Sequence, residues 1–513
     1  MRPGPPACGR GDHRPLRRAP RRYATRARPE SRGRRARDQT KGGAHLQRKL
    51  KRLHFVGIGG IGMAGLAELL HAQGMEISGS DLRAGATTER LESLGIEIAL
   101  GHDASRVGDA QAVIRSSAIP ADNPELVAAR AAGLPIVSRG ALLAEVMRTK
   151  DGIAVAGSHG KTTTTALVAH LLDAAGLDPT ALVGGRVPRP GGFASPAKLG
   201  SGDLLVAEVD ESDGSFLWTR PVFAIVTNVD PEHLDHYGTR EALLDAFVEF
   251  ANAVPFWGAA VLGIDHPGVR RIRPRIEARQ LGFGFDPDAD LQVETVESAG
   301  FDQRFRLRLP GGFAHDFELP MPGRHNVLNA TAAIAIGLEL DVPPAILAEG
   351  LSSFPGVARR FERKGRAAGI DVVDDYAHHP AEIRAVLAAA RSVHAGPVTA
   401  VFQPHRYTRT RDCWSEFLEA FEDADRVLIS DVYAAGEDPI EGIDGAALAD
   451  AIGAAGHPGV DFGGGLARIA QELPARLAAG ELVLTLGAGD IVELGQALLA
   501  GLGAARGASG GSA

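Results

Sequence analysis

The stretch IAVAGSHGKTTTTALVAHLLDAAG, residues 153–176, constrains the fold more than any other part of the chain. Four apolar residues run into a Gly-Ser-His-Gly turn, and the turn opens directly into an Ala/Leu-rich helical pattern. A strand that enters a glycine-rich turn and then a helix aims backbone N–H groups at an anion. Lys161 can reach terminal phosphates from there, and the Thr162 hydroxyl can hold Mg2+. Gly157, Ser158, His159, Gly160, Lys161, Thr162 and Thr163 are therefore candidate phosphate-binding residues of an ATP site. The motif departs from G-x-x-x-x-G-K-[ST], because Val155 stands five residues before Gly160. It is the shorter G-[ST]-x-G-K-T type.

The same logic recurs along the chain. LHFVGIGG precedes AGLAELLHAQG, VTAVFQPH precedes WSEFLEAFEDA, and ELVLTLGAGD precedes IVELGQALLAGL. Repeated strand–helix units predict parallel sheets with helices on both faces, an α/β fold. Ligands then bind beyond the carboxyl ends of the strands. A chain of 513 residues suggests about three domains. No apolar run is long enough for a spanning helix, so no membrane association is expected. Two distant cysteines, Cys8 and Cys413, exclude a disulfide framework and suit a cytoplasmic protein.

Net charge is −8, but residues 1–46 hold 13 Arg and one Lys against Asp12, Glu30 and Asp38, a net of +11. The remainder is acidic, which argues against nucleic-acid binding by the folded part. Residues 1–46 show no apolar periodicity and read as a disordered, non-functional extension, such as a start codon placed too far upstream would give, with a nucleic-acid tail or a transit peptide as the functional alternatives. No apolar segment follows any Arg-Arg pair, so an export signal is excluded. Residues 503–513 read as a flexible tail.

Three other regions end apolar runs in polar residues. Gly57, Gly59, Gly60 and Gly62 form G-x-G-x-x-G after residues 53–56, and Asp81 follows where an acid can accept from a ribose. A nicotinamide dinucleotide, a UDP-sugar or an empty glycine turn all satisfy that pattern. AEVDESD and TNVDPEHLD place acids beside the phosphate loop. Glu208, at the strand end, is the best carboxylate for Mg2+. His233 is an unusual Mg2+ ligand on hardness grounds, and a capping role is its alternative. DDYAHHP and FQPHRYTRTR cluster histidine and arginine at strand ends. An arginine fork there suits a carboxylate or phosphate, and solvated surface arginine is the alternative.

One chain thus carries a diphosphate loop, an ATP loop and an Arg/His loop for a small anion. An oxidoreductase needs no second nucleotide loop, whereas ATP-driven joining of a nucleotide-linked acid to an amino acid uses all three. HFVGIGGIGMAGLAELL, GSHGKTTTT, AEVDESDGSFL, TNVDPEHLDHY, PGRHNVLNA, DDYAHHPAEI, FQPHRYTRTRD and DVYAAGE, in this order, resemble the Mur ligases of peptidoglycan synthesis over about residues 50–500.

The resemblance implies three domains: a Rossmann-like UDP-sugar domain (47–150), a phosphate-loop ATPase-type domain (151–355) and a Rossmann-like amino-acid domain (356–502). It turns the glycine motif toward UDP-N-acetylmuramate instead of a nicotinamide. By the same resemblance Lys161, Thr162, Glu208 and His233 match phosphate and Mg2+ positions. His325, Asn326, Asn329 and Arg360 match ATP positions, and Tyr376, His378, Arg406 and Arg409 match the region around nucleotide and L-alanine. A carbamylated lysine used by several relatives has no counterpart, since residues 199–363 contain no lysine. The implied reaction joins L-alanine to the muramoyl carboxylate through an acyl phosphate, in a monomer or weak dimer. A tripeptide-recycling ligase is the alternative within the family, and a nicotinamide-dependent oxidoreductase the alternative outside it. Lys161 is the expected charge stabiliser; His159 and His378 are the candidate bases.

Overall fold

A computed structural model of the chain describes residues 50–188 and 195–509. The Arg-rich segment 1–46 lies outside the described residues. Three sheets follow one another along the chain. The first is fully parallel, in the order Glu97–Leu100, Glu76–Asp81, Arg52–Val56, Ala112–Arg115, Ile136–Ser138. Helices Ile61–Ala72 and Arg139–Met147 pack toward the central domain, and their apolar faces join its core.

The central sheet has ten strands. Asp151–Ala156, which feeds the phosphate loop, lies inside it between parallel neighbours Phe223–Val226 and Leu204–Glu208. All three strands are almost wholly apolar, as strands covered on both faces must be. Their carboxyl ends therefore deliver the phosphate loop, the AEVDESD acids and the TNVD turn to one edge. Leu291–Ala299, Asp302–Arg308 and Ala314–Leu319 extend the sheet as an antiparallel meander away from that edge.

The third sheet runs Glu362–Ala367, Ile370–Asp375, Leu482–Leu486, Val398–Phe402, Arg426–Ser430, Val460–Gly464, parallel except for its first strand. Separate apolar clusters fill its two faces. The last helix, Leu494–Ser509, continues beyond Gly503, where the sequence suggested a tail. Among the described residues no helix is long and apolar enough to cross a membrane.

Candidate active site

The phosphate loop is held from two sides. Gly160 sits at φ +80°, and a Cβ there would meet Asn329 Oδ1 at 2.6 Å, so only glycine fits against helix Arg324–Glu339. Asn329 Oδ1 accepts from Thr164 Oγ1 (3.2 Å), and Asn329 Nδ2 donates to Asn326 Oδ1 (3.3 Å). On the other side the TNVD turn grips the loop. Asn228 Oδ1 accepts from the His159 N–H (2.7 Å), Thr227 Oγ1 donates to the His159 carbonyl (2.6 Å), and the Asp230 N–H donates to Ser158 Oγ (2.8 Å).

Lys161 is the electrostatic hub. Its Nζ donates to the Gly157 carbonyl (2.6 Å) and pairs with Glu211 Oε1 (2.7 Å). Burial works against the ammonium, yet the charges of Glu211 and Glu208 raise its pKa. Burial lifts the Glu211 carboxyl to about 7, against the pull of Lys161. Glu211 Oε2 is buried without a hydrogen-bond partner. Glu208, favoured from its place at the strand end, accepts from the Gly184 N–H through Oε2 (2.8 Å). His233 stands in the left-handed region at φ +57°, with Nε2 4.0 Å from Glu211 Oε1. Burial lowers its pKa, and Lys161 lowers it further.

Lys161 and Glu208 line a cavity of about 290 Å³ whose far wall is the first domain: Gly60, Gly62, Ser116 and Arg139. The glycine turn thus faces the phosphate-loop lysine across one space. Gly57 turns the chain at φ +80° behind it. Asp81 does not line this cavity; its Oδ2 accepts from the Gly59 N–H (2.9 Å), and a Cβ on Gly59 would lie 2.8 Å from that oxygen. Asp81 thus braces the glycine turn through that hydrogen bond. Arg139 was missed by sequence reasoning. It opens a helix, pairs with Asp210 (2.8 Å) and brings a guanidinium over Gly62. One arginine between a short strand and a helix carries no motif.

A second cavity, of about 220 Å³, opens on the other side of the loop. His159, Gly160, Thr163, His325, Asn326, Asn329 and Arg360 line it together. This gathers most of the residues expected around ATP. Gly157, Ser158, Lys161 and Thr162 do not line it: Gly157 and Ser158 form the turn behind it, and Lys161 faces the first cavity. The Thr162 hydroxyl is 3.5 Å from Arg360 Nη2. Asp375 and Glu382 also line this second space and were not singled out from sequence. Burial raises Asp375 to about 6, against the Arg360 charge. Its oxygens accept from the N–H groups of Phe361 (2.7 Å) and Ala377 (2.8 Å).

The third-domain loops close the site. Tyr376 has Arg359 and Arg360 over its ring, at 5.0 and 5.1 Å, and meets His378 edge-on. Burial holds His378 at about 4 with help from Arg409, so the imidazole is neutral at pH 7. Its Nδ1 lies 3.0 Å from the Tyr376 carbonyl. A carbonyl can only accept, so Nδ1 carries the hydrogen and Nε2 keeps its lone pair. His159 is the opposite case. Burial pushes it down, but Asp230, Glu382 and Glu232 raise it to about 10. A protonated imidazole cannot take a proton, which removes His159 as a base. Arg409 points inward, with Nη1 3.2 Å from His405 Nδ1. Arg406 is exposed at φ +70°, and its charge acts on His405 and Glu437.

Comparison with known proteins matches this geometry. Residues 52–151 match the Mur ligase family catalytic domain, 155–337 the Mur ligase middle domain and 359–489 the Mur ligase glutamate ligase domain. The chain is 53% identical over 451 residues to UDP-N-acetylmuramate–L-alanine ligase of Anaeromyxobacter dehalogenans (strain 2CP-1 / ATCC BAA-258), covering 88% of this chain and 97% of that one. It superposes on the crystal structure of UDP-N-acetylmuramate-alanine ligase from Thermotoga maritima with a TM-score of 0.75 at 30% identity, covering 90% of this chain and 99% of that one. A murein peptide ligase from Psychrobacter arcticus 273-4 gives 0.66 at 25%, covering 88% and 99%. Three domain matches in the order of the three sheets, with relatives matched over nearly their whole length, place the chain in the Mur ligase family.

Proposed function

We propose that the protein is an ATP-dependent ligase that joins L-alanine to the carboxylate of UDP-N-acetylmuramate in peptidoglycan precursor synthesis. The observation that carries this is the phosphate loop as a partition. His159, Gly160 and Thr163 face one cavity, and Lys161 faces the other. ATP occupies the space between the central and third domains. UDP-N-acetylmuramate lies against the glycine turn with its carboxylate toward Lys161.

The residues fit a divalent cation. Buried Glu211 Oε2 has no hydrogen-bond partner, and Glu208, Glu211 and His233 all stand within the field of Lys161. Glu208, His233 and the Thr162 hydroxyl would hold Mg2+, which would neutralise charge on the transferring phosphoryl group. Lys161 supplies fixed positive charge at the same place. Such preorganised charge acts mainly by positioning and stabilising the phosphoryl group in transit.

A carboxylate is a poor electrophile. Phosphorylation of the muramoyl carboxylate gives an acyl phosphate, and the alanine amine then attacks its carbonyl carbon and expels phosphate. The amine must first lose a proton. His378, neutral with Nε2 unoccupied, is the base this site offers. Arg409 receives the alanine carboxylate. Enclosure between domains protects the acyl phosphate from water.

The alanine ligase is favoured over the tripeptide ligase by 53% identity to an alanine-adding relative and by the higher TM-score of the alanine-ligase structure. A nicotinamide enzyme is disfavoured, because the glycine turn opens onto the phosphate-loop lysine. ADP release is measured with UDP-N-acetylmuramate plus L-alanine, plus tripeptide, or plus neither. Release with L-alanine alone is expected; release only with tripeptide, or independent of the sugar nucleotide, overturns the reading.

A further inference from the structure

We propose that the junction of the central and third domains carries a cation site of its own, built from His159, Glu232 and His379, for a transition metal of the zinc class. One donor atom from each residue lies within 4.8 Å of the others. His159 Nε2 is 3.1 Å and His379 Nδ1 3.8 Å from the same oxygen, Glu232 Oε1. Tetrahedral zinc with bonds of about 2.0–2.1 Å sets its ligands roughly 3.4 Å apart, so small side-chain shifts complete the geometry. All three atoms are buried, and none makes a hydrogen bond of good geometry; the ion displaces the proton that His159 carries in the metal-free protein, where Nε2 also faces Asp230 Oδ2 at 3.3 Å. Buried polar atoms left so are costly, and a shared cation satisfies all three at once.

The surroundings orient the two rings for this task. His159 directs Nδ1 to Glu382 Oε1 at 3.3 Å, which turns Nε2 toward Glu232. His379 directs Nε2 to Cys413 Sγ at 3.5 Å, which turns Nδ1 the same way. A ligating imidazole whose far nitrogen is fixed by a carboxylate or similar group is the usual support of a metal site. Two imidazoles and one carboxylate favour zinc-class ions over Mg2+, which prefers oxygen. The site therefore differs in chemistry from the Glu208 region. Three ligands leave one position open for water. His159 belongs to the phosphate loop, Glu232 to the following turn of the same domain, and His379 caps helix Pro380–Val393 of the third domain. A bound ion ties the two domains in this relative position.

The test uses the metal-stripped full chain, titrated with Co2+ while its visible spectrum is recorded. One equivalent should give the intense absorption of four-coordinate cobalt, bleached by Zn2+ and unaffected by Mg2+. His379→Ala and the isosteric Glu232→Gln should each weaken binding by at least about ten-fold, and Glu382→Gln by about 10–100-fold. Glu208→Ala should leave the absorption intact. Circular dichroism identifies folded variants; if His379→Ala does not fold, Glu232→Gln decides. A weak six-coordinate spectrum in the wild-type protein overturns the proposal. So does an absorption that survives in the folded variants, or one that Glu208→Ala abolishes.

Discussion

Lys161 Nζ rests 2.7 Å from Glu211 Oε1, a half-buried ammonium against a buried carboxylate, so the phosphate-loop lysine is anchored by a carboxylate three residues beyond the strand-end Glu208. The pair fixes the ammonium at the wall of the first cavity before any substrate arrives. Preorganisation of this kind removes a reorganisation step from phosphoryl transfer.

Lys161→Ala should lower kcat by about 10²–10³, the equivalent of roughly 3–4 kcal/mol of transition-state stabilisation, with circular dichroism unchanged. It should also lower Tm, because it leaves Glu211 buried without its partner. Adding Glu211→Gln should recover Tm and not turnover. Wild-type turnover in a folded Lys161→Ala enzyme would refute the role of the loop.

Glu208 and Glu211 should separate by metal response. Glu208→Gln should raise the Mg2+ concentration needed for half-maximal rate, and excess Mg2+ should partly restore it. Glu211→Gln should lower kcat without rescue, because it frees Lys161 and leaves the Glu208 region intact. The reverse pattern in Mg2+ titrations would exchange the two assignments.

Stability should fall on both sides of neutrality, for opposite reasons. His159 is raised from 6.5 to about 10 on folding, so its contribution is complete below pH 6.5 and is lost as pH rises toward 10. His378 and His379 are lowered to about 4. Between pH 6.5 and 4 the unfolded chain binds more protons at these two, and stability falls as pH drops through that window. Urea titrations across pH should show the alkaline loss reduced in His159→Gln. An unchanged alkaline slope in that variant would contradict the protonated His159.

The arginines of the third domain should not be equivalent. Arg409→Ala should raise the alanine KM by roughly 10–150-fold, as expected for a charged hydrogen bond worth about 1.5–3 kcal/mol. Arg409→Lys should also be impaired, because an ammonium lacks the planar fork. Arg406→Ala should have the smaller effect, since Arg406 is exposed and its charge acts on Glu437. Steady-state kinetics with each substrate varied in turn distinguish these outcomes; a fall in kcat with unchanged alanine KM in Arg409→Ala would move that residue to the phosphoryl group.

The strand–turn–helix units were legible because burial on both faces makes parallel strands continuously apolar, and the phosphate loop was legible because its residues are consecutive. Glu208 was chosen over Glu211 on its strand position and on the family resemblance. The sequence holds no sign that Glu211 turns inward, since AEVDESD offers four acids of similar character. Arg139, Asp375 and Glu382 meet partners 71, 15 and 223 residues away, Asp210, Arg360 and His159. Such pairings exist only after three sheets have assembled. His159 shows the same limit: its neighbours in sequence suggest a base, and its neighbours in space make it an acid already protonated.

Phosphoryl transfer at Lys161 from the nucleotide to the muramoyl carboxylate is the step on which the proposed ligase reaction rests. It is tested by running the reaction with UDP-N-acetylmuramate labelled with ¹⁸O in that carboxylate and examining the released phosphate by ³¹P NMR. An acyl phosphate requires one carboxylate oxygen to leave with the phosphate, so the product should carry one ¹⁸O per amide bond formed. Unlabelled phosphate alongside normal amide formation would contradict the account.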